Sequence, residues 1–140
     1  MIILDTNLIS EPLRPDPEPR VVAWFDAQAL ETLYLTAISA AELRAGVAQL
    51  PAGKRRSNLQ DSLEQTILPL FIGRVLPFDL DCSPTYAKLL AKTRKTGQAI
   101  ATADAFIAAI ALTHNYTVAT RDTTPFQQAG LTVINPWEWG

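Results

Sequence analysis

Apolar residues in this chain fall into short continuous runs separated by longer amphipathic stretches, and the two patterns alternate from one end to the other. Met1 to Leu4 is a run of strand-forming residues closed by the turn-prone triplet Asp5-Thr6-Asn7. It is apolar on both faces, which predicts a strand at the centre of a parallel sheet. Pro12, Pro15, Pro17 and Pro19 punctuate the next segment, leaving room for a short helix and then a stiff spacer. Pro19 suits the first position of a helix reaching to about Leu30, with Val21, Val22, Trp24 and Phe25 as its apolar surface. Leu33 to Thr36 is the second predicted strand. Ser39-Ala-Ala-Glu42 has the form of a capping box, so a helix is expected from Ser39 to about Leu50, where Pro51-Ala52-Gly53 breaks it. Lys54 opens another helix with Leu59, Leu63 and Ile67 at four-residue spacing, bent or ended by Pro69.

The second half continues the alternation. Arg74 to Pro77 predicts a short third strand, and Asp81 to Thr96 a helix ended by Gly97. Thr102 to His114 is Ala-rich and predicts a helix with Thr102 as its N-cap. Thr117 to Thr120 is the fourth strand, ended by Arg121-Asp122. Leu131 to Ile134 is the fifth, after a helical turn near Phe126. Strand and helix in strict alternation define an α/β fold with a mostly parallel five-stranded sheet and right-handed crossovers. With 140 residues, no internal repeat and no linker, residues 1–140 are expected to form one domain.

Composition narrows the chemistry. Hydrophobic residues make up 48% and charged residues 19%, which excludes a disordered chain. The single Cys82 excludes an internal disulfide framework and a Cys-rich zinc site, and the single His114 excludes a His-rich metal site. With 12 Lys+Arg against 14 Asp+Glu, nucleic acid cannot be bound by bulk charge. Such binding would need the local clusters Lys54-Arg55-Arg56 and Lys92/Arg94/Lys95, otherwise read as solvated helix ends, or bound cations. No apolar run approaches the ~20 residues that span a bilayer, and the opening MIILDTNLISEPLR has no basic leader region. A soluble protein is expected, in a reducing, cytoplasmic setting. Trp24 and Phe25 read as core or subunit-contact residues, Trp137 and Trp139 as surface anchors, and His114 as a partner of a helix C-terminus.

The acids carry the functional signal. In a parallel sheet, ligands bind beyond the carboxyl ends of the strands. Asp5 follows strand one and Asp122 follows strand four. Glu42 lies in the first turn of the helix leaving strand two. Asp104 lies in the first turn of the helix that descends to strand four, so it too starts at the carboxyl edge. Each has an ordinary explanation: a capping box for Glu42, the helix dipole for Asp104, Asx turns for Asp5 and Asp122. Four such coincidences on one rim are harder to accept than one shared site. The candidate cations nearby, Arg44 and Arg121, fall short of four carboxylates. An oxygen-rich, sulfur-free set favours a hard cation, Mg²⁺ or Mn²⁺, able to activate water and stabilise a phosphodiester in transfer.

The ILDTN start, Ser39-Ala-Ala-Glu42-Leu43, Thr102-Ala-Asp104-Ala-Phe-Ile-Ala-Ala and Ala119-Thr120-Arg121-Asp122 together resemble the PIN-domain family, in particular toxins of the VapC/FitB type. The likeness extends to Asn135-Pro136-Trp137 and so covers nearly the whole chain. It implies a three-layer α/β/α sandwich, a Mg²⁺- or Mn²⁺-dependent ribonuclease, homodimerisation and a cognate small DNA-binding antitoxin. By position, Asp5, Glu42, Asp104 and Asp122 match the family's acidic quartet, as catalytic residues and metal ligands. Thr6, Asn7 and Thr120 match the polar residues that support it. Arg14, Arg44 and Arg121 are candidate RNA contacts. Two rivals remain: a module that mainly tethers a DNA-binding antitoxin, and a phosphohydrolase using Asp5 as nucleophile. Asn7, where the latter would carry a second acid, counts against it.

Overall fold

The computed structural model describes residues 1–140. Five strands form one sheet: β1 (Ile2–Leu4), β2 (Leu33–Thr36), β3 (Val75–Leu76), β4 (Thr117–Ala119) and β5 (Val133–Ile134). Their order is β3-β2-β1-β4-β5 and every pairing is parallel, so the sheet is wholly rather than mostly parallel. Seven α-helices connect them: α1 (Thr6–Ser10), α2 (Pro19–Asp26), α3 (Ala37–Ala48), α4 (Lys54–Ser62), α5 (Ser83–Thr96), α6 (Thr102–His114) and α7 (Thr124–Gln128).

The strands are apolar on both faces because both faces are covered. Ile3 and Val118 face a core shared with Leu89, Ile107, Ile110 and Phe126, under α5, α6 and α7. The next residue on each strand, Leu4 and Ala119, faces the opposite core, with Leu8, Val21, Trp24 and Leu43 from α1, α2 and α3 and Leu63 just after α4. This period of two builds the α/β/α sandwich. The helix α6 is buried from Ala105 to Ala111 apart from Phe106, its alanines allowing close approach of neighbouring elements. Asn115 ends it in the left-handed conformation (φ 59°), which Asn tolerates better than most residues. No helix is long and apolar enough to cross a membrane.

Several boundaries differ from expectation for identifiable reasons. The helix expected from Ser39 begins at Ala37, because the hydroxyl of Thr36 is the cap and accepts the Ser39 N–H at 3.1 Å. The α6 N-cap is Ala101, without a side-chain bond, so Thr102 is the first helical residue instead. The helix from Pro19 stops at Asp26, and a 3₁₀ turn, Leu30–Thr32, leads into β2. Past Leu63, α4 widens into a π-helical turn, Leu63–Ile67, then tightens into a 3₁₀ turn, Leu68–Phe71, that contains Pro69. Of Leu59, Leu63 and Ile67, only Leu63 is fully buried. Trp24 is a core residue; Trp137 packs on the core, while Trp139 is exposed.

Candidate active site

The chain builds β1, β2 and β3 outward in one direction, then returns to lay β4 and β5 on the other side of β1. The sheet's switch point therefore lies between β1 and β4, and the crevice beyond their carboxyl ends is where such folds bind ligands. Asp5 leaves β1 at this point, its N–H donating to Ala119 O across the switch at 2.9 Å.

Asp5 is buried, at 5% exposure, and both its oxygens are held. Oδ1 accepts the Thr6 N–H at 2.8 Å, and Oδ2 accepts the Thr120 hydroxyl at 2.7 Å. The Thr120 Oγ1 in turn accepts the Asp122 N–H at 3.1 Å, which fixes where the chain turns after β4. On the other side, the Thr6 hydroxyl donates to Glu42 Oε1 at 2.6 Å and lies 3.0 Å from the buried Ser39 hydroxyl. Glu42 is thus bound to the first residue of α1 and closes no capping box. The four acids form a gradient from buried Asp5 through half-buried Asp104 to exposed Glu42 and Asp122.

Their electrostatics show that they share one environment. Burial is the main cause pushing the Asp104 carboxyl up to about 6 from the usual 3.8, and the charges of Asp5, Asp122 and Glu42 add to it. Asp5 is raised mainly by burial, against the two hydrogen bonds that favour its charge, with Glu42 and Asp122 contributing further. No basic side chain relieves this. The two ion pairs of the protein are Arg14–Glu11 and Arg44–Glu64, and neither includes a member of the quartet.

None of the candidate arginines pairs with the four acids. Arg44 points away, making a two-pronged bond to Glu64 at 2.7 and 2.9 Å. Arg121 lies over the Trp137 ring, 5.5 Å from its centre, instead of pairing with the acids. Arg14 is held by one nitrogen to buried Glu11. Asn7 is not tied to the quartet: its Oδ1 is buried and has no hydrogen-bond partner. Ser39 and Thr36 were missed as supporting groups, although a Thr-x-x-Ser spacing at a helix start was there to be read. So was Trp137, the platform for Arg121.

No three acids, His or Cys already converge on one ligating point. The donor set nonetheless fits a hard divalent cation. It is all oxygen, lacks basic partners, and raises two carboxyls whose charged forms a cation would favour. Glu42 and Asp122 are exposed beside the buried Asp5.

The switch point of this parallel α/β sandwich thus carries a crevice lined by carboxylates that have no basic partner. Residues 2–130 match the PIN domain, and the chain belongs to that family. It is 62% identical to the plasmid stability protein StbB of Pseudomonas syringae pv. tomato, over 99% of both chains. It is 57% identical to the VapC ribonuclease Y4jK of Sinorhizobium fredii, also over 99% of both. The toxin FitB of Neisseria gonorrhoeae is 56% identical over 98% of this chain and 99% of its own. Among solved structures, FitAB bound to an IR36 DNA fragment superposes with a TM-score of 0.95 at 53% identity, covering 100% of this chain and 98% of that one.

Proposed function

We propose that this chain is the toxin of a type II toxin–antitoxin pair and an endoribonuclease dependent on Mg²⁺ or Mn²⁺. One observation carries the reading: four carboxylates without basic partners meet at the switch-point crevice, sharing one electrostatic environment. The names of the relatives support the same class, one a ribonuclease and one a toxin.

Asp5, Asp104, Asp122 and Glu42 would hold the cation, which when bound supplies positive charge to a phosphodiester and acidifies water. The chain's own contribution is positioning. Thr6 N–H and Thr120 hydroxyl lock both oxygens of Asp5, so the buried acid forms a fixed floor. The Thr6 hydroxyl orients Glu42 at the edge. In the metal-free protein Asp104 retains a proton to about pH 6 that a cation must displace, so Mn²⁺ affinity should rise with pH through that range. Arg121, held off the acids by Trp137, remains available to a substrate phosphate.

The partner in this reading is a small DNA-binding antitoxin, and the toxin works as a homodimer in the cytoplasm. The DNA-bound FitAB complex favours a second reading, in which the PIN chain is catalytically weak and acts mainly by binding a DNA-binding antitoxin. Protein freed of antitoxin, incubated with total cellular RNA, separates the two. Cleavage should require Mg²⁺ or Mn²⁺, stop in EDTA, and be lost in Asp5→Asn and Glu42→Gln. No cleavage by protein that binds Mn²⁺ would leave the tether as the function. Light scattering of the isolated chain would show the dimer.

A further inference from the structure

β5 runs parallel to β4 with Ala119 opposite Ile134, so the chain leaving β5 lies beside the chain leaving β4 at the carboxyl edge. The Thr120 N–H donates to Ile134 O at 2.9 Å and carries this pairing one residue further. Arg121, between the Thr120 that holds Asp5 and the acid Asp122, there meets Trp137 of the C-terminal turn. That turn is firmly built. Pro136 is buried, Asn135 Oδ1 accepts the Trp137 N–H at 3.0 Å, and the Trp137 side chain packs on the core that includes Leu4 and Trp24. The Trp137 carbonyl also accepts a bond from Arg20 of α2 at 3.5 Å. Arg121 is exposed and next in sequence to a member of the quartet, where opposite charges attract. Yet it pairs with no acid, and its guanidinium lies over the indole, 5.5 Å from the ring centre. A cation–π contact of this length holds an arginine in place, and stacking on the ring face leaves the N–H edges of the fork free.

We propose that Trp137 is a positioning residue of the site, acting through Arg121, and this deepens the ribonuclease reading above, on which it rests. The indole holds the guanidinium out of the carboxylates, which leaves their oxygens to a divalent cation. It also presents the guanidinium fork to a phosphate of the RNA strand at that edge. Without the ring, an untethered guanidinium beside Asp122 would fall onto the acids, compete with the divalent cation and be lost to the substrate. The contact therefore couples cation affinity to RNA affinity. A turn that served only to fasten the C-terminus to α2 would leave both alone.

The test combines calorimetric titration of Mn²⁺ with fluorescence anisotropy of a labelled single-stranded oligoribonucleotide in EDTA, so that both affinities are read without turnover. Trp137→Leu keeps an apolar contact with the core but removes the ring face. It should weaken Mn²⁺ binding about threefold or more, because a cation then sits among the acids. It should also weaken RNA binding about as much as Arg121→Gln does. Arg121→Gln should leave Mn²⁺ affinity within about twofold of wild type, and lower the salt slope of RNA binding by about 0.7, the value for one phosphate contact on a single strand. Combining Trp137→Leu with Arg121→Gln should restore Mn²⁺ affinity, and Trp137→Phe, which keeps a ring face, should match wild type in both assays. Mn²⁺ affinity unchanged in Trp137→Leu, or not restored in the double variant, would overturn the proposal. So would Trp137→Leu that binds RNA as wild type does. Should Trp137→Leu not fold, Arg121→Gln decides. Tighter Mn²⁺ binding would mean that Arg121 already pairs with the acids, and an unchanged RNA affinity and salt slope that it meets no phosphate; either overturns the proposal. Wild type that binds no Mn²⁺ would count against the metal-dependent reading, while the anisotropy comparison of Trp137→Leu with Arg121→Gln would still decide the role of Trp137.

Discussion

Asp104 offers the sharpest check on the electrostatics of the carboxylate crevice. Its carboxyl titrates near 6 in the folded protein against 3.8 when free of it. Between those values the folded state binds the extra proton, so stability falls as pH rises through the window and stays low above it. At ~1.4 kcal/mol per pH unit the difference amounts to about 3 kcal/mol at most. Asp104 is only half-buried, and water screening brings the cost nearer 1–2 kcal/mol. Asp104→Asn removes the charge and keeps the shape. It also forgoes a favourable position in the first turn of α6, worth ~0.5 kcal/mol. The burial and repulsion effect wins, and in EDTA at neutral pH the variant should be more stable by about 1 kcal/mol, or about 3 °C in Tm. Urea and thermal unfolding of both proteins between about pH 4 and pH 8 would show the gap closing toward the acid end, where wild type is protonated as well. A gap of constant size at every pH, or a variant less stable at pH 8, would refute the raised Asp104 carboxyl.

Other outcomes follow from single contacts. Thr120→Val removes the hydroxyl that holds Asp5 Oδ2 and accepts the Asp122 N–H; urea unfolding at neutral pH should show a loss of about 1.5–3 kcal/mol, the range for bonds to charged groups. Glu11→Ala strips a buried acid from both Arg14 and the Glu18 N–H, and should cost about 1–3 kcal/mol while loosening the Pro-rich segment to limited proteolysis. Arg44→Ala breaks only the pair with Glu64, so RNA cleavage should match wild type in the same assay; a loss would return Arg44 to the substrate path.

Element types and order were legible in the sequence because short β-branched runs and Ala-rich stretches carry their period locally. So was the apolar character of both strand faces, which requires helices on each side. The four acids could be assigned to one edge from topology alone, since a parallel sheet gives every strand the same direction. Local signals failed where two groups competed for one role. Thr36 and Ser39 both suit an N-cap, and Thr36 prevailed because β2 delivers it at the helix start in extended conformation. Glu42 then had no cap to close and met Thr6, a residue 36 positions away. The arginines were the least predictable, because a long cation goes to whichever partner the fold brings within reach: Glu64 for Arg44, the Trp137 ring for Arg121. Sequence determined which residues are apolar, acidic and turn-forming, and through them the sandwich and its acidic edge. Only the tertiary structure decided which carboxylate is buried and which hydroxyl holds it, because those depend on neighbours that are distant along the chain.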